Sequence, residues 1–240
     1  MCYTGIVYDR IVNDNALTFA VSGMLYENGL IMFDRQTQSL WSHILGQGIS
    51  GQYKGVNLEF VPALQTDWKS WVERHPDTLV VDPKFYGQDV YASYYHSDQK
   101  GVIGSDVDLG GKLQSKEYVI GVRLEGEARA YPFSILNDEP VVNDQVAGIP
   151  VAVFFDQGTA SGAVFNRAFE DGTILEFEPG ADGRAVIDKQ TRSAWEPLTG
   201  KAISGPLEGA QLAQVPITYA FWFGWAAYHQ AGTVYEGAIE

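Results

Sequence analysis

The sequence is poor in the features that most quickly betray a function. It has a single cysteine, Cys2, so no disulfide can form within the chain and a disulfide-stapled fold is excluded. Basic residues are scarce, sixteen against thirty acidic ones, and the net charge of −14 disfavours nucleic acid and anionic membrane surfaces as partners. Long apolar runs are missing. The most apolar stretch, Ile217 to Tyr228, is about twelve residues where a bilayer span needs about twenty, so it is read as a core helix rather than a transmembrane segment. No cationic stretch followed by an apolar one opens the sequence, and no secretion signal is visible in it. P-loop, G-x-G-x-x-G and G-x-S-x-G motifs are lacking, which removes the common nucleotide-binding and serine-hydrolase readings. The four histidines and one cysteine form no C-x-x-C or H-x-x-x-H pair, so no metal ligands are assigned and nothing calls for a cofactor.

What is present is an internal repeat. Residues 34–80 written above residues 188–234 align without a gap, with about seventeen of forty-seven positions identical where chance gives about three. The matched pairs include Asp34/Asp188, Thr37/Thr191, Ser39/Ser193, Trp41/Trp195, Trp68/Trp222, Trp71/Trp225 and His75/His229. Upstream, residues 4–10 lie over residues 161–167 and Phe19 over Phe177. The chain therefore divides into unit one (1–82), an ordered connector (83–116) rich in Gly, Asp, Ser and Tyr, and unit two (117–240). Unit two carries a leading block of β-rich runs, Tyr118 to Leu124, Ala128 to Tyr131, Val141 to Asn143 and Pro150 to Phe155, which unit one lacks.

Short runs at Ile6–Asp9, Leu17–Val21, Leu30–Asp34 and Leu58–Val61 are separated by Asn-Asp, Glu-Asn-Gly and Gly-rich turns, the signature of β-structure. Each unit then closes with one helix, in which Trp68, Trp71 and His75, or Trp222, Trp225 and His229, share one face that must be packed. The expected fold is mainly β (α+β): two tandem diverged repeats, each closed by one amphipathic helix and related by a pseudo-twofold axis.

Duplication supplies a filter for chemistry. A residue kept in both copies is explained by the shared fold, whereas a residue found in one copy is free to be functional. The Trp-x-x-Trp-x-x-x-His face falls in the first group, as does Asp34, read as a turn cap. Three features belong to unit one alone: Cys2, His43, and the stretch 22–30, about four residues longer than its counterpart. A thiol beside an imidazole, with its pKa lowered, is a nucleophile, a redox centre or a soft-metal ligand. The plainer reading makes Cys2 a frayed terminal residue and His43 a surface loop residue.

The residues at 4–10 (Thr-Gly-Ile-Val-Tyr-Asp-Arg), 21–26, 32–42, 68–78, 130–132 (Ala-Tyr-Pro), 141–144 (Val-Val-Asn-Asp) and 220–229 resemble the domain of unknown function 3179 family of bacterial and archaeal proteins. The resemblance covers nearly the whole chain and brings no established activity. It implies that a Cys-Pro-x-Cys segment precedes the Val-Tyr-Asp-Arg strand, so that Cys2 is the second sulfur of a C-x-x-C, or of a U-x-x-C as in selenoprotein members, and the sequence starts within a longer protein. It also implies an extracytoplasmic or membrane-anchored location. The leading expectation is a thiol or selenol redox protein acting through Cys2 and His43 on an unidentified small molecule or thiol partner. The alternatives are a non-catalytic ligand-binding module using Tyr26, Ser22, Asp34 and Trp41, and a copper- or zinc-binding protein.

Overall fold

The computed structural model describes residues 2–80, 91–97, 99–101, 111–169, 171–181, 183 and 185–238. The chain is mainly β, with several antiparallel sheets and short helices. Most of the span 83–116, read as a connector, lies outside the described residues, which there hold the short helix Ala92–Tyr95.

Two sheets form the main core. In one, Tyr118–Leu124 lies between Ile217–Phe221 and Glu127–Pro132, and Thr233–Val234 adds in parallel to the last. In the other, Val141–Val146, Ile149–Asp156 and Ser161–Asn166 pair in succession, with Ala213–Gln214 on the far edge. Side chains of a strand alternate between its faces. Val151, Val153 and Phe155 accordingly pack with Ile120, Val122, Tyr131 and Tyr219 between the two sheets, while Ala152 and Phe154 turn to Phe177 and Trp195 on the other side.

Two-residue hairpin turns join several of these strands: Asn13-Asp14, Glu27-Asn28, Glu125-Gly126 and Ala147-Gly148, with positive φ at both positions in each. That is the type I′ geometry, whose twist matches the flanking strands. The Glu27-Asn28 turn closes the hairpin of Phe19–Tyr26 and Gly29–Asp34, so the stretch 22–30 is the end of a β-hairpin with a bulge between Val21 and Leu25.

Two four-stranded meanders carry the same local structure. One is Phe19–Tyr26, Gly29–Asp34, Leu40–Ser42 and Gln47–Ser50; the other is Phe177–Pro179, Val186–Asp188, Ala194–Glu196 and Lys201–Ser204. In the first, the Asp34 carboxylate accepts from the Thr37 N–H at 2.5 Å and from Trp41 Nε1 at 3.0 Å. In the second, Asp188 accepts from Thr191 at 2.5 Å and from Trp195 Nε1 at 3.0 Å.

The helices depart from expectation. Residues 217–228 are not one core helix: Ile217–Phe221 is a strand and only Trp222–Tyr228 is helical. A run of Thr, Tyr and Phe prefers a pleated sheet, and here it pairs with Tyr118–Leu124. The helix Trp222–Tyr228 is covered by Val119, Ala130 and Ala220, whereas the helix Trp68–Arg74 has no buried residue and Trp68 is 57% exposed. The face of this first helix is therefore not packed, because no block equivalent to 118–132 lies over it among the described residues. Its start is fixed by Asp67, whose side chain accepts from the Ser70 N–H at 2.9 Å. Among the described residues no helix is long and apolar enough to cross a membrane.

Candidate functional site

The residues before the first strand run into the molecule. The Cys2 carbonyl accepts from the Phe221 N–H at 2.9 Å, and the Cys2 side chain packs with Ile44, Phe221 and Phe223, edged by Tyr94, Tyr95, Tyr118 and Tyr228. At 4% exposure Cys2 is not a frayed terminus. Its thiol donates to the Asn28 carbonyl at 3.4 Å, in the turn of the 22–30 hairpin. The hairpin is held from below by Tyr228, whose hydroxyl donates to the Tyr26 carbonyl. A side chain at Gly29 would strike that hydroxyl and Ile44.

These elements enclose a cleft of about 620 Å³, lined on one side by Cys2, Tyr3, Thr4 and Gly5, on another by Leu25, Asn28, Gly29 and Leu30, and completed by His43, Gln65 and Tyr95. Its volume is within the range of small-molecule sites. The structure thus brings together three features singled out in the sequence: Cys2, His43 and the 22–30 hairpin. His43 follows the strand Leu40–Ser42, its N–H donating to the Leu30 carbonyl at 3.0 Å, and its own carbonyl accepts from the Tyr8 hydroxyl at 2.5 Å.

Electrostatically the site is quiet. Burial pushes the Cys2 thiol up to about 11, against a smaller downward pull from the amino terminus. A lowered, reactive thiol was the sequence expectation. The apolar aromatic surroundings overturn it, since removing water penalises the thiolate. Burial also holds His43 below the ordinary imidazole value, so at neutral pH the thiol and the imidazole that line the cleft are both uncharged. The Lys116 ammonium donates to the carbonyls of Tyr94 and Ser97 and lies 3.8 Å from the centre of the Tyr94 ring.

The four residues expected to bind substrate are elsewhere. Asp34 and Trp41 are completely buried and bonded to one another; four donors from the turn and the indole hold the Asp34 carboxyl low despite its burial. They build the meander and lie outside the cleft lining. The Ser22 hydroxyl donates to the Ile31 carbonyl at 2.5 Å and accepts from the Met24 N–H at 3.1 Å, which fixes the bulge. Tyr26 is 55% exposed, its ring edge-on to Tyr228, outside the cleft lining.

Sequence reasoning missed Tyr3, Thr4, Gln65 and Tyr95. Gln65 was within reach of the duplication filter, because the aligned residue in the second half is Tyr219. No group of three or more His, Cys, Asp or Glu side chains converges among the described residues.

No curated protein and no solved structure matches the chain. A family model described as protein of unknown function (DUF3179) matches residues 1–232, and the chain belongs to that family.

Proposed function

We propose that the cleft is a thiol redox site in which Cys2 exchanges with a disulfide and His43 accepts its proton. The observation that carries this reading is the convergence of Cys2, His43 and the 22–30 hairpin on one cleft. A buried, protonated sulfur suits the second step of such chemistry. The more exposed sulfur of a pair, three positions before Cys2 by family resemblance, attacks a substrate disulfide as its thiolate; the substrate S–S bond breaks, a mixed disulfide forms, and the other half of the substrate leaves and takes up the proton as a thiol. Cys2, deprotonated by His43, then attacks the nearer sulfur; the substrate thiolate departs and takes the proton back, leaving a disulfide between the pair.

The test is the rate at which a small aromatic disulfide modifies Cys2. His43→Ala slows it about tenfold or more at pH 7 if His43 is the base; an unchanged rate removes His43 from the chemistry. Failure of Cys2 to react in folded protein, with normal reaction after unfolding, removes the redox reading.

A second reading is favoured by the lining itself, in which the apolar faces of Tyr3, Leu25, Leu30 and Tyr95 stand beside the uncharged polar groups of Thr4, Asn28 and Gln65: a binding module without catalysis. Ligand affinity that survives Cys2→Ser unchanged selects it.

We also infer that the chain arose by tandem duplication, a reading supported by the paired Asp34–Trp41 and Asp188–Trp195 bonds. Family resemblance supports an extracytoplasmic location, for which export of a reporter fused to the native gene product is the measurement.

A further inference from the structure

The cleft does not end at Gly5. A second cleft of about 560 Å³ begins there, running past Ile6 and Val7 between Ala63, Leu64 and Thr66 to the indoles of Trp68 and Trp71, with Ile217 and Tyr219 behind. Gly5 and Gln65 line both clefts, so the two are one continuous groove alongside residues 4–7. Among the described residues no charged side chain lines either part, on a chain whose net charge is −14.

The aligned segment of the second half, Ser161–Asn166, shows what such a place looks like when filled. It is flanked by a strand on each side, Ile149–Asp156 and Ala213–Gln214. Gly162 lies under Ile120, Phe154 and Phe155, and its N–H donates to the Tyr219 hydroxyl at 2.8 Å. Its counterpart Gly5 has open space where a side chain would be, and the residue aligned with Tyr219 is Gln65. Val7–Tyr8 pairs with Phe60–Val61 along one edge only, among the described residues. Val7 is 48% exposed where the aligned Val164 is fully buried. Two side-chain hydroxyls in the groove, Thr4 Oγ1 and Thr66 Oγ1, are out of contact with water and without a hydrogen-bond partner among the described residues. One lies in each cleft. A buried polar atom left without a partner is destabilising until one is supplied.

We propose that this groove binds an uncharged, extended polypeptide segment, which adds as a strand alongside residues 4–7 and seats an apolar side chain against Trp68 and Trp71. Strand addition to an open edge draws affinity from main-chain hydrogen bonds and specificity from alternate side-chain pockets. Binding stands independently of the thiol chemistry; where that reading holds, the same segment delivers its cysteine to Cys2. Cys2 and Val7 are at most about 17 Å apart along an extended chain, so the delivered cysteine lies three to five residues from the apolar anchor.

The probe is an N-acetylated, C-amidated octapeptide of alternating valine and serine, followed by calorimetry. Saturable binding is expected, weakened about tenfold by Trp68→Ser and lost when alternate peptide amides are N-methylated. Trp68 is exposed, so its loss leaves the fold intact, and the N-methylated peptide needs no variant at all. No saturation at millimolar peptide, or binding indifferent to both changes, overturns the proposal. A second peptide carries one cysteine as its 2-pyridyl disulfide. The Cys2 thiolate displaces pyridine-2-thiolate, which takes up the proton, and a Cys2–peptide disulfide forms. This release is expected to be at least about tenfold faster than with the free reagent, and Trp68→Ser abolishes the advantage without changing the free-reagent rate. Binding with no such acceleration retains the groove and overturns delivery to Cys2.

Discussion

The sulfur of Cys2 occupies the space that a side chain at Gly224 would need: a β-carbon placed on Gly224 stands 2.6 Å from Cys2 Sγ. The one thiol of the chain is thus buried by the absence of a methyl group on the closing helix.

Gly224→Ala therefore acts on the cleft. Overpacking of this kind costs about 1–3 kcal/mol, and the segment carrying Cys2 must move outward toward water. The expected result is a lower melting temperature with faster alkylation of Cys2 at pH 8. Alkylation as slow as in the unaltered chain would show that the helix yields instead of the thiol.

The thiol's displaced pKa has a consequence for stability. Below pH 9 both folded and unfolded states hold the proton. Between pH 9 and about 11 the unfolded state loses it while the folded state keeps it, so stability falls as pH rises through that window, by about 2–3 kcal/mol. Tyrosines titrate there too. The measurement is accordingly the difference between the unaltered chain and Cys2→Ser in urea unfolding at pH 8 and pH 10.5, expected to narrow or change sign at the higher pH.

His229 produces the opposite limb. Burial, with the Arg123 charge assisting, lowers its pKa to about 4. The stability linked to it is complete above the ordinary imidazole value of about 6.5 and is lost as pH falls from there through 4, by up to about 3 kcal/mol. Replacing it with glutamine, which has no such titration, is expected to flatten the acid side of the stability profile between pH 6.5 and 4. An unaltered acid limb in His229→Gln would assign that loss to the carboxylates alone.

Trp41→Phe and Trp195→Phe each remove one donor from a buried carboxylate, Asp34 or Asp188. Each is expected to cost about 1–3 kcal/mol, and the two costs should add, because the pairs share no partner. Neither should alter the reaction of Cys2 with a small disulfide. A changed rate in Trp41→Phe alone would return Trp41 to the site.

Much of this was legible in the residues. Short β-rich runs marked Tyr118–Leu124 and, to within a few residues, Val7–Tyr8, Gly29–Asp34, Phe60–Val61, Glu127–Pro132, Val141–Val146 and Ile149–Asp156, whereas the short strands Leu40–Ser42, Gln47–Ser50, Ala194–Glu196 and Lys201–Ser204 stood out by no such run. Comparing the two halves picked out Cys2, His43 and the 22–30 hairpin, which the fold gathers around one cleft. What was not legible depends on contacts distant in sequence. The run 217–221 reads equally as helix or strand until its pairing with 118–122 is known. Trp68 and Trp222 occupy matched positions, yet one is exposed and the other 4% exposed, since only the second has sheet residues above it. The direction of the thiol's pKa likewise followed from Phe221, Phe223 and the surrounding tyrosines, none of which is near Cys2 in the sequence.

The bond between Phe221 and Cys2 joins the first residues of the chain to nearly the last. A ribosome adds about 5–20 residues each second, so for roughly 10–40 seconds after residue 2 is made its sulfur lacks the cover of Phe221 and Phe223. The cleft is assembled last, once residues 221–224 have emerged. Until then Cys2 carries the ordinary reactivity of an exposed cysteine; afterwards it is sheltered. The accessibility of this single atom is therefore a clock for the arrival of residues 221–224, and pulse labelling with a thiol reagent would read it directly.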